Sequence, residues 1–209
     1  MRVWRGLFLV VLFLGCAGSA GAGASDGLLA RAMALNSGLR SYQAKLSATL
    51  QLQTFPFLSF TLVGMRYHKR PNLDKIVFSS GLPALGAQFD KVYPKIPSPS
   101  SWPRLYLVSK GGDNGRTTTY TLVPRKRGRV THVTVRIDDA DATIASMRWS
   151  YVDGGYVKID QRFERIDGNY LVAGQTGELD VPAYKATLTS TFRDYRLNPS
   201  LQDGFFKGA

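Results

Sequence analysis

The chain has one cysteine, Cys16, and two histidines, His68 and His132, among 209 residues. Cys16 falls in an N-terminal stretch that reads as an export signal. The chain left after its removal has no disulfide and no thiol, which excludes cysteine nucleophiles, thiolate metal sites and redox pairs. His68 and His132 each fall on a predicted strand among polar neighbours and read as exposed strand residues, not as a metal or general-base site. Asp138, Asp139 and Asp141 lack the remaining ligand spacing of a calcium loop and read as a solvated turn. With no convergent titratable set, the sequence predicts neither an enzyme, nor a metal, nor a cofactor. Acidic residues are also scarce, at 15 against 27 Lys and Arg. No apolar run approaches the ~20 residues that a membrane-spanning helix needs.

The N-terminus has three parts. Arg2 and Arg5 give it positive charge, Leu7 to Leu14 form a short apolar stretch, and the residues from Ala17 to Ala24 are all small. That layout predicts a secretory signal over 1–24, cut between Ala24 and Ser25, and a single domain over 25–209 in the periplasm or another extracytoplasmic space. Gly18-Ser19-Ala20 offers a second cleavage site. Leu14-Gly15-Cys16 is a minor alternative in which the protein is lipid-anchored through Cys16. Without Arg2 and Arg5 the basic count falls from 27 to 25 against 15 acidic residues, leaving a net charge of about +10. Outside the cytoplasm such a balance favours an anionic membrane surface as partner over nucleic acid, with solubility alone as the other reading.

Leu28, Ala32, Leu35 and Leu39 recur at helical spacing behind the capping residues Ser25 and Asp26, with Gly38 near the end. From Tyr42 the period becomes two, through Leu46, Leu50 and Leu52 and on to Leu58, Phe60 and Leu62. Gly64 marks a bulge or close approach, after which Met65 and Tyr67 resume on the other phase. Further strands are predicted at Leu73 to Phe78, Arg104 to Ser109, Arg116 to Val123, Val130 to Ile137, Ile144 to Tyr151, Tyr156 to Ile166, Tyr170 to Val181 and Ala183 to Leu197. Asp113-Asn114-Gly115, Asp153-Gly154-Gly155 and Asp167-Gly168-Asn169 separate some of these with residues that tolerate positive φ, so the strands form an antiparallel meander. Between Gly81 and Pro103, five prolines exclude a central strand. The apolar residues there predict a short helix from Ala84 to Tyr93 and a packed loop. An irregular connection covering a sheet edge is the other reading. Arg125, Lys126, Arg127 and Arg129 form a basic run with no interleaved aromatics, read either as a solvated hairpin tip or as a contact with anionic headgroups.

The helix entering Leu39-Arg40-Ser41-Tyr42, the two long strands and the turn Gly64-Met65-Arg66-Tyr67-His68-Lys69-Arg70-Pro71-Asn72 resemble the LolA/LolB-like lipoprotein-carrier superfamily. Tyr120-Thr121-Leu122-Val123-Pro124, Ile144 to Trp149 and the last strand ending at Tyr195 are similar in order and spacing. The resemblance covers nearly the whole chain after the signal. No residue is matched to the arginine with which LolA ties its lid shut, nor to the protruding apolar loop of LolB.

The resemblance implies a mainly β fold with few helices: an open antiparallel half-barrel of about ten strands, covered by the N-terminal helix and a short lid helix. It implies a carrier of lipid or lipoprotein acyl chains, or alternatively an RseB-like sensing domain that also meets a membrane-bound partner. That partner would be a release component, an acceptor or an anti-sigma protein. Leu46, Leu50, Leu52, Phe60, Leu62, Met147 and Trp149 are then expected to line an acyl-chain groove, with Leu82, Leu85 and Phe89 as its lid. From the residues alone, a barrel interior filled by side chains is the competing arrangement.

Overall fold

The computed structural model describes residues 26–54, 58–79, 97–182 and 184–206. Ten strands form one sheet in which every pairing is antiparallel. They are β1 (Ser41–Leu52), β2 (Ser59–Lys69), β3 (Leu73–Phe78), β4 (Tyr106–Asp113), β5 (Thr117–Pro124), β6 (Val130–Asp138), β7 (Ile144–Tyr151), β8 (Tyr156–Ile166), β9 (Asn169–Val181) and β10 (Tyr184–Leu197). The order across the sheet is β3-β2-β1-β10-β9-β8-β7-β6-β5-β4, so the first and last strands pair in its interior and β3 and β4 are its two edges. Among the described residues the sheet does not close, consistent with the open half-barrel that the resemblance implies.

Helix α1 (Gly27–Ala34) is capped by Asp26, whose Oδ1 accepts from the Leu28 amide at 3.1 Å. It ends at Ala34, five residues short of Leu39, the last predicted apolar position, because Leu35 turns to ψ 133° and Asn36 to φ +56°, off the helical path. Leu28, Leu29 and Ala32 rest on a core of Tyr120, Leu122, Val133, Val135, Ile137, Met147, Trp149, Val157 and Ile159. Trp102, which is fully buried, joins that core.

Three local predictions need correction. The strand expected from Arg104 begins at Tyr106, because Trp102–Leu105 closes a helical turn, α2, with Pro103 in its first positions. At Gly64 the β1–β2 register runs without interruption, so there is no bulge and no change of phase. The close approach is present instead: a Cβ on Gly64 would lie 2.3 Å from the Val77 carbonyl oxygen. His68 is not an exposed strand residue, since its ring stacks on Tyr42 with centroids 5.0 Å apart.

No helix among the described residues is long and apolar enough to cross a membrane. Residues 1–24, Ser25 and Cys16 lie outside the described residues, as do the predicted helix from Ala84 to Tyr93 and the lid residues Leu82, Leu85 and Phe89.

Candidate functional site

Strand alternation places one apolar face along the whole sheet. One row crosses it through the paired residues Leu122, Val133, Trp149, Val157, Leu179, Ala186 and Leu52. The next row is Tyr120, Val135, Met147, Ile159, Gly177, Leu188, Leu50 and Phe60. Leu46 and Leu62 follow on the same face, because Leu50, Ala48 and Leu46 alternate along β1 and Ala48 pairs with Leu62. All seven predicted groove residues therefore share a face.

They do not share an environment. Met147 and Trp149, at 1% and 2% exposure, are sealed beneath α1 and Trp102. Leu46, with Ala48 and Phe192, belongs to a second apolar cluster bordered by Phe78, Val172, Leu188 and Tyr195. Leu50 and Leu62 are also buried, whereas Leu52 and Phe60 are half-buried. The face thus has a half filled by packing under α1 and a half built on β1, β2 and β10.

That second half carries a charged cluster which sequence reasoning missed. With no phase change at Gly64, Arg66 and His68 follow Leu62 onto the apolar face, opposite Ile76 and Asp74 of β3. Arg66 Nη2 donates to Asp74 Oδ1 at 3.2 Å, and His68 Nδ1 lies 3.1 Å from Asp74 Oδ2. The Arg66 guanidinium stands 5.8 Å from the Tyr42 ring centroid and 5.6 Å from that of Phe192. Tyr195 packs edge-on against Tyr42 and donates its hydroxyl to the Val172 carbonyl at 2.6 Å. Burial opposes the Arg66 charge, but the neighbouring Tyr42 and Asp74 oxygens offset it and raise the guanidinium pKa. Burial likewise pushes the Asp74 carboxyl up. The His68 hydrogen bond and the Arg66 charge outweigh this and hold it below its ordinary 3.8.

A folded-state pKa below the unfolded value contributes stability above the unfolded pKa, and that stability is lost as pH falls through the folded one. Asp74→Asn should therefore be less stable than the parent at pH 7, with the gap narrowing as the pH falls below about 4. Urea melts of both proteins at pH 7 and pH 3 measure this. A gap of equal size at the two pH values would show that the ionised carboxylate contributes nothing.

Helix α1 is clasped to the sheet at both ends by polar groups. Asp26 Oδ2 accepts from the Tyr120 hydroxyl at 2.6 Å and lies 3.6 Å from Lys110 Nζ. Arg31 donates to the carbonyls of Asp139 and Ala140 at 2.6 and 3.2 Å. Beyond the helix, the Asn36 side chain exchanges two hydrogen bonds with the Tyr170 backbone, at 2.7 and 2.8 Å. Arg70 Nη2 donates to the carbonyls of Leu35 and Asn36 at 3.4 and 2.8 Å, joining the β2–β3 turn to the helix exit. Of this clasp the sequence signalled Asp26 alone, as a capping residue.

The basic run occupies the β5–β6 hairpin. Arg125 Nε donates to the Pro103 carbonyl at 3.2 Å, and Arg129 pairs with Asp153 at 3.2 Å. Lys126 and Arg127 are exposed and have no partner among the described residues. At the opposite end of the sheet, Gly38, Arg40, Ser41, Lys69 and residues 198–201 border an open cleft of about 520 Å³. Its Lys69 is taken up by the Leu201 carbonyl and the Asp203 carboxylate, both at 2.6 Å. The lining of this cleft mixes polar and apolar groups and lies apart from the apolar rows, so we assign the candidate site to the face. Among the described residues, no three His, Cys, Asp or Glu side chains gather in a way that could hold a metal ion. Asp138, Asp139 and Asp141 instead accept hydrogen bonds from Ala140, Thr118 and Thr143 within and beside their turn.

No family model matches the sequence, and no curated protein does. Solved structures do match. A domain assigned to outer membrane lipoprotein sorting, from Vibrio parahaemolyticus, superposes with a TM-score of 0.65 at 13% identity, covering 87% of this chain and 95% of that one. A DUF1329 family protein from Desulfovibrio piger gives 0.61 at 12% identity, covering 87% and 95%. A LolA superfamily protein from Nitrosomonas europaea gives 0.57 at 12% identity, covering 89% and 98%. At such identities the likeness concerns the backbone, and it spans nearly the full length of each neighbour. The chain therefore has the LolA-like superfamily fold that its entry strand and its Lys69-Arg70-Pro71-Asn72 turn led us to expect.

Proposed function

We propose that the protein is a non-enzymatic binder of lipid or lipoprotein acyl chains, working outside the cytoplasm after removal of residues 1–24. The observation that carries this reading is the division of one continuous apolar face into two halves. α1 and Trp102 cover the half over β4–β8. Over β1, β2 and β10 the apolar rows continue through Leu50, Leu52, Phe60 and Leu62. An acyl chain laid along those rows would contribute on the order of 8 kcal/mol for ten buried methylenes, before the costs of ordering it. Two neighbours of the same fold support the choice of ligand, one being assigned to lipoprotein sorting and the other to the LolA superfamily. Leu46, Leu50, Leu52, Phe60 and Leu62 are the contact residues in this reading. Met147 and Trp149 belong in this reading to the other half of the face, packed under α1 and Trp102, and make no contact with the acyl chain.

Native mass spectrometry of protein purified from its own host tests the proposal. The expected result is a population heavier than the processed polypeptide by the mass of an acyl lipid or lipopeptide, which organic solvent strips away. A single unliganded mass, together with no uptake of a fluorescent fatty acid or lipopeptide, would overturn it.

A further inference from the structure

The end of the sheet that carries the β5–β6 hairpin combines two features that the acyl-chain reading does not use. The first is charge. Arg104 of α2 lies with Arg125, Lys126, Arg127 and Arg129 of the hairpin, and among the described residues of the neighbouring turns the one carboxylate is Asp153, with which Arg129 already pairs. The second is exposed aliphatic surface. Leu105 is 39% exposed, Leu107 55%, Val123 42% and Val152 68%. The two sets are joined through the backbone. The Arg125 amide donates to the Leu105 carbonyl at 3.0 Å, and the Val152 amide to the Arg129 carbonyl at 2.9 Å. Leu107 and Val123 are directly paired across β4 and β5, on the side of the sheet opposite the buried Leu122 and the half-buried Tyr106 and Val108.

We infer that this rim is a docking surface for an anionic lipid bilayer. A cationic run whose Lys126 and Arg127 have no partner among the described residues, set among solvent-exposed aliphatic side chains, matches a membrane interface in both respects. The heads meet phosphate groups while their own stems and the Leu and Val side chains enter the acyl boundary. The charge complement is specific to a negative surface, where each cation strengthens association about fivefold. A nucleic acid would also attract the cations. It would leave the four aliphatic side chains with nothing to bury against, and among the described residues this rim carries no exposed aromatic on which bases could stack. The surface lies outside the concave face, so it can hold whether or not that face takes an acyl chain.

The test is cosedimentation of the full chain with vesicles, using Cys16→Ser in every sample so that no acyl anchor contributes. We expect association with phosphatidylcholine vesicles containing one part in three of phosphatidylglycerol, weakening as salt rises, and little with phosphatidylcholine alone. Lys126→Glu with Arg127→Glu should weaken binding at least about twentyfold. It should leave the melting temperature unchanged, since neither side chain has a partner to lose among the described residues. Leu107→Ser with Val152→Ser should weaken it several-fold and keep the salt dependence. Equal association with neutral vesicles, undiminished binding by either double variant, or a preference for duplex DNA over the anionic vesicles would each overturn the inference.

Discussion

Trp102→Ala should lower the melting temperature by roughly 10 °C, corresponding to about 3–5 kcal/mol for truncating a fully buried tryptophan in a domain of this size. The side chain is 0% exposed and packs in the cluster that also holds Ala32, Met147 and Trp149. Its indole Nε1 donates to the Pro97 carbonyl at 3.0 Å, so truncation removes a hydrogen bond as well as filling. The cavity would open beneath α1, where the polar clasps at Asp26, Asn36 and Arg70 hold the helix too firmly for it to settle into the gap. Trp102→Phe keeps most of the volume and should recover more than half of the loss. Differential scanning calorimetry on the three proteins measures the series. A change of 2 °C or less for Trp102→Ala would mean that the residue contributes little to the core.

Phe60→Glu should reduce uptake of a fluorescent fatty acid or lipopeptide by at least about a hundredfold, because a desolvated carboxylate with no partner costs several kcal/mol. Phe60 lies opposite Leu50 on the β1–β2 pair and is half-buried, so in the absence of ligand the new carboxylate can reach water. The fold should survive for that reason, with an unchanged circular dichroism spectrum. Normal uptake by a folded Phe60→Glu protein would remove the β1–β2 half of the face from the binding site. The same charge at Met147 would be a poor test, since that side chain is sealed in the core and its replacement would unfold the protein without reporting on ligand.

The two substitutions separate what was legible in the sequence from what was not. The period-two run from Tyr42 identified β1 and placed Leu46, Leu50 and Leu52 on one side of it, as found. β3, β7 and β8 have the predicted limits, because turn residues set their ends. Gly154 and Gly168 take φ of +85° and +78°, and Gly115 of +76°, which side-chain-bearing residues rarely adopt. Arg66 and His68 were misread because glycine in a strand suggests a bulge. Gly64 serves instead to let β3 come close, a reason that exists only once Val77 is beside it. Trp102 was assigned to a packed loop, and its burial agrees with that, but nothing in the sequence named the partner it packs on.

What the sequence by itself determined is local: the strand period, the turn chemistry at positive φ, the scarcity of catalytic side chains and the basic hairpin. These properties depend on residues within a few positions of one another. The tertiary structure alone decided that β1 pairs with β10, that α1 covers the β4–β8 half of the face, and that Arg66 and His68 share Asp74 while Arg70 reaches the carbonyl of Asn36. Each of these joins segments whose affinity depends on what the rest of the sheet has already buried. An alternating strand specifies which of its sides seeks an apolar partner, but its edge hydrogen-bond groups are the same in every strand, so the choice of neighbour rests on the packing of the whole sheet.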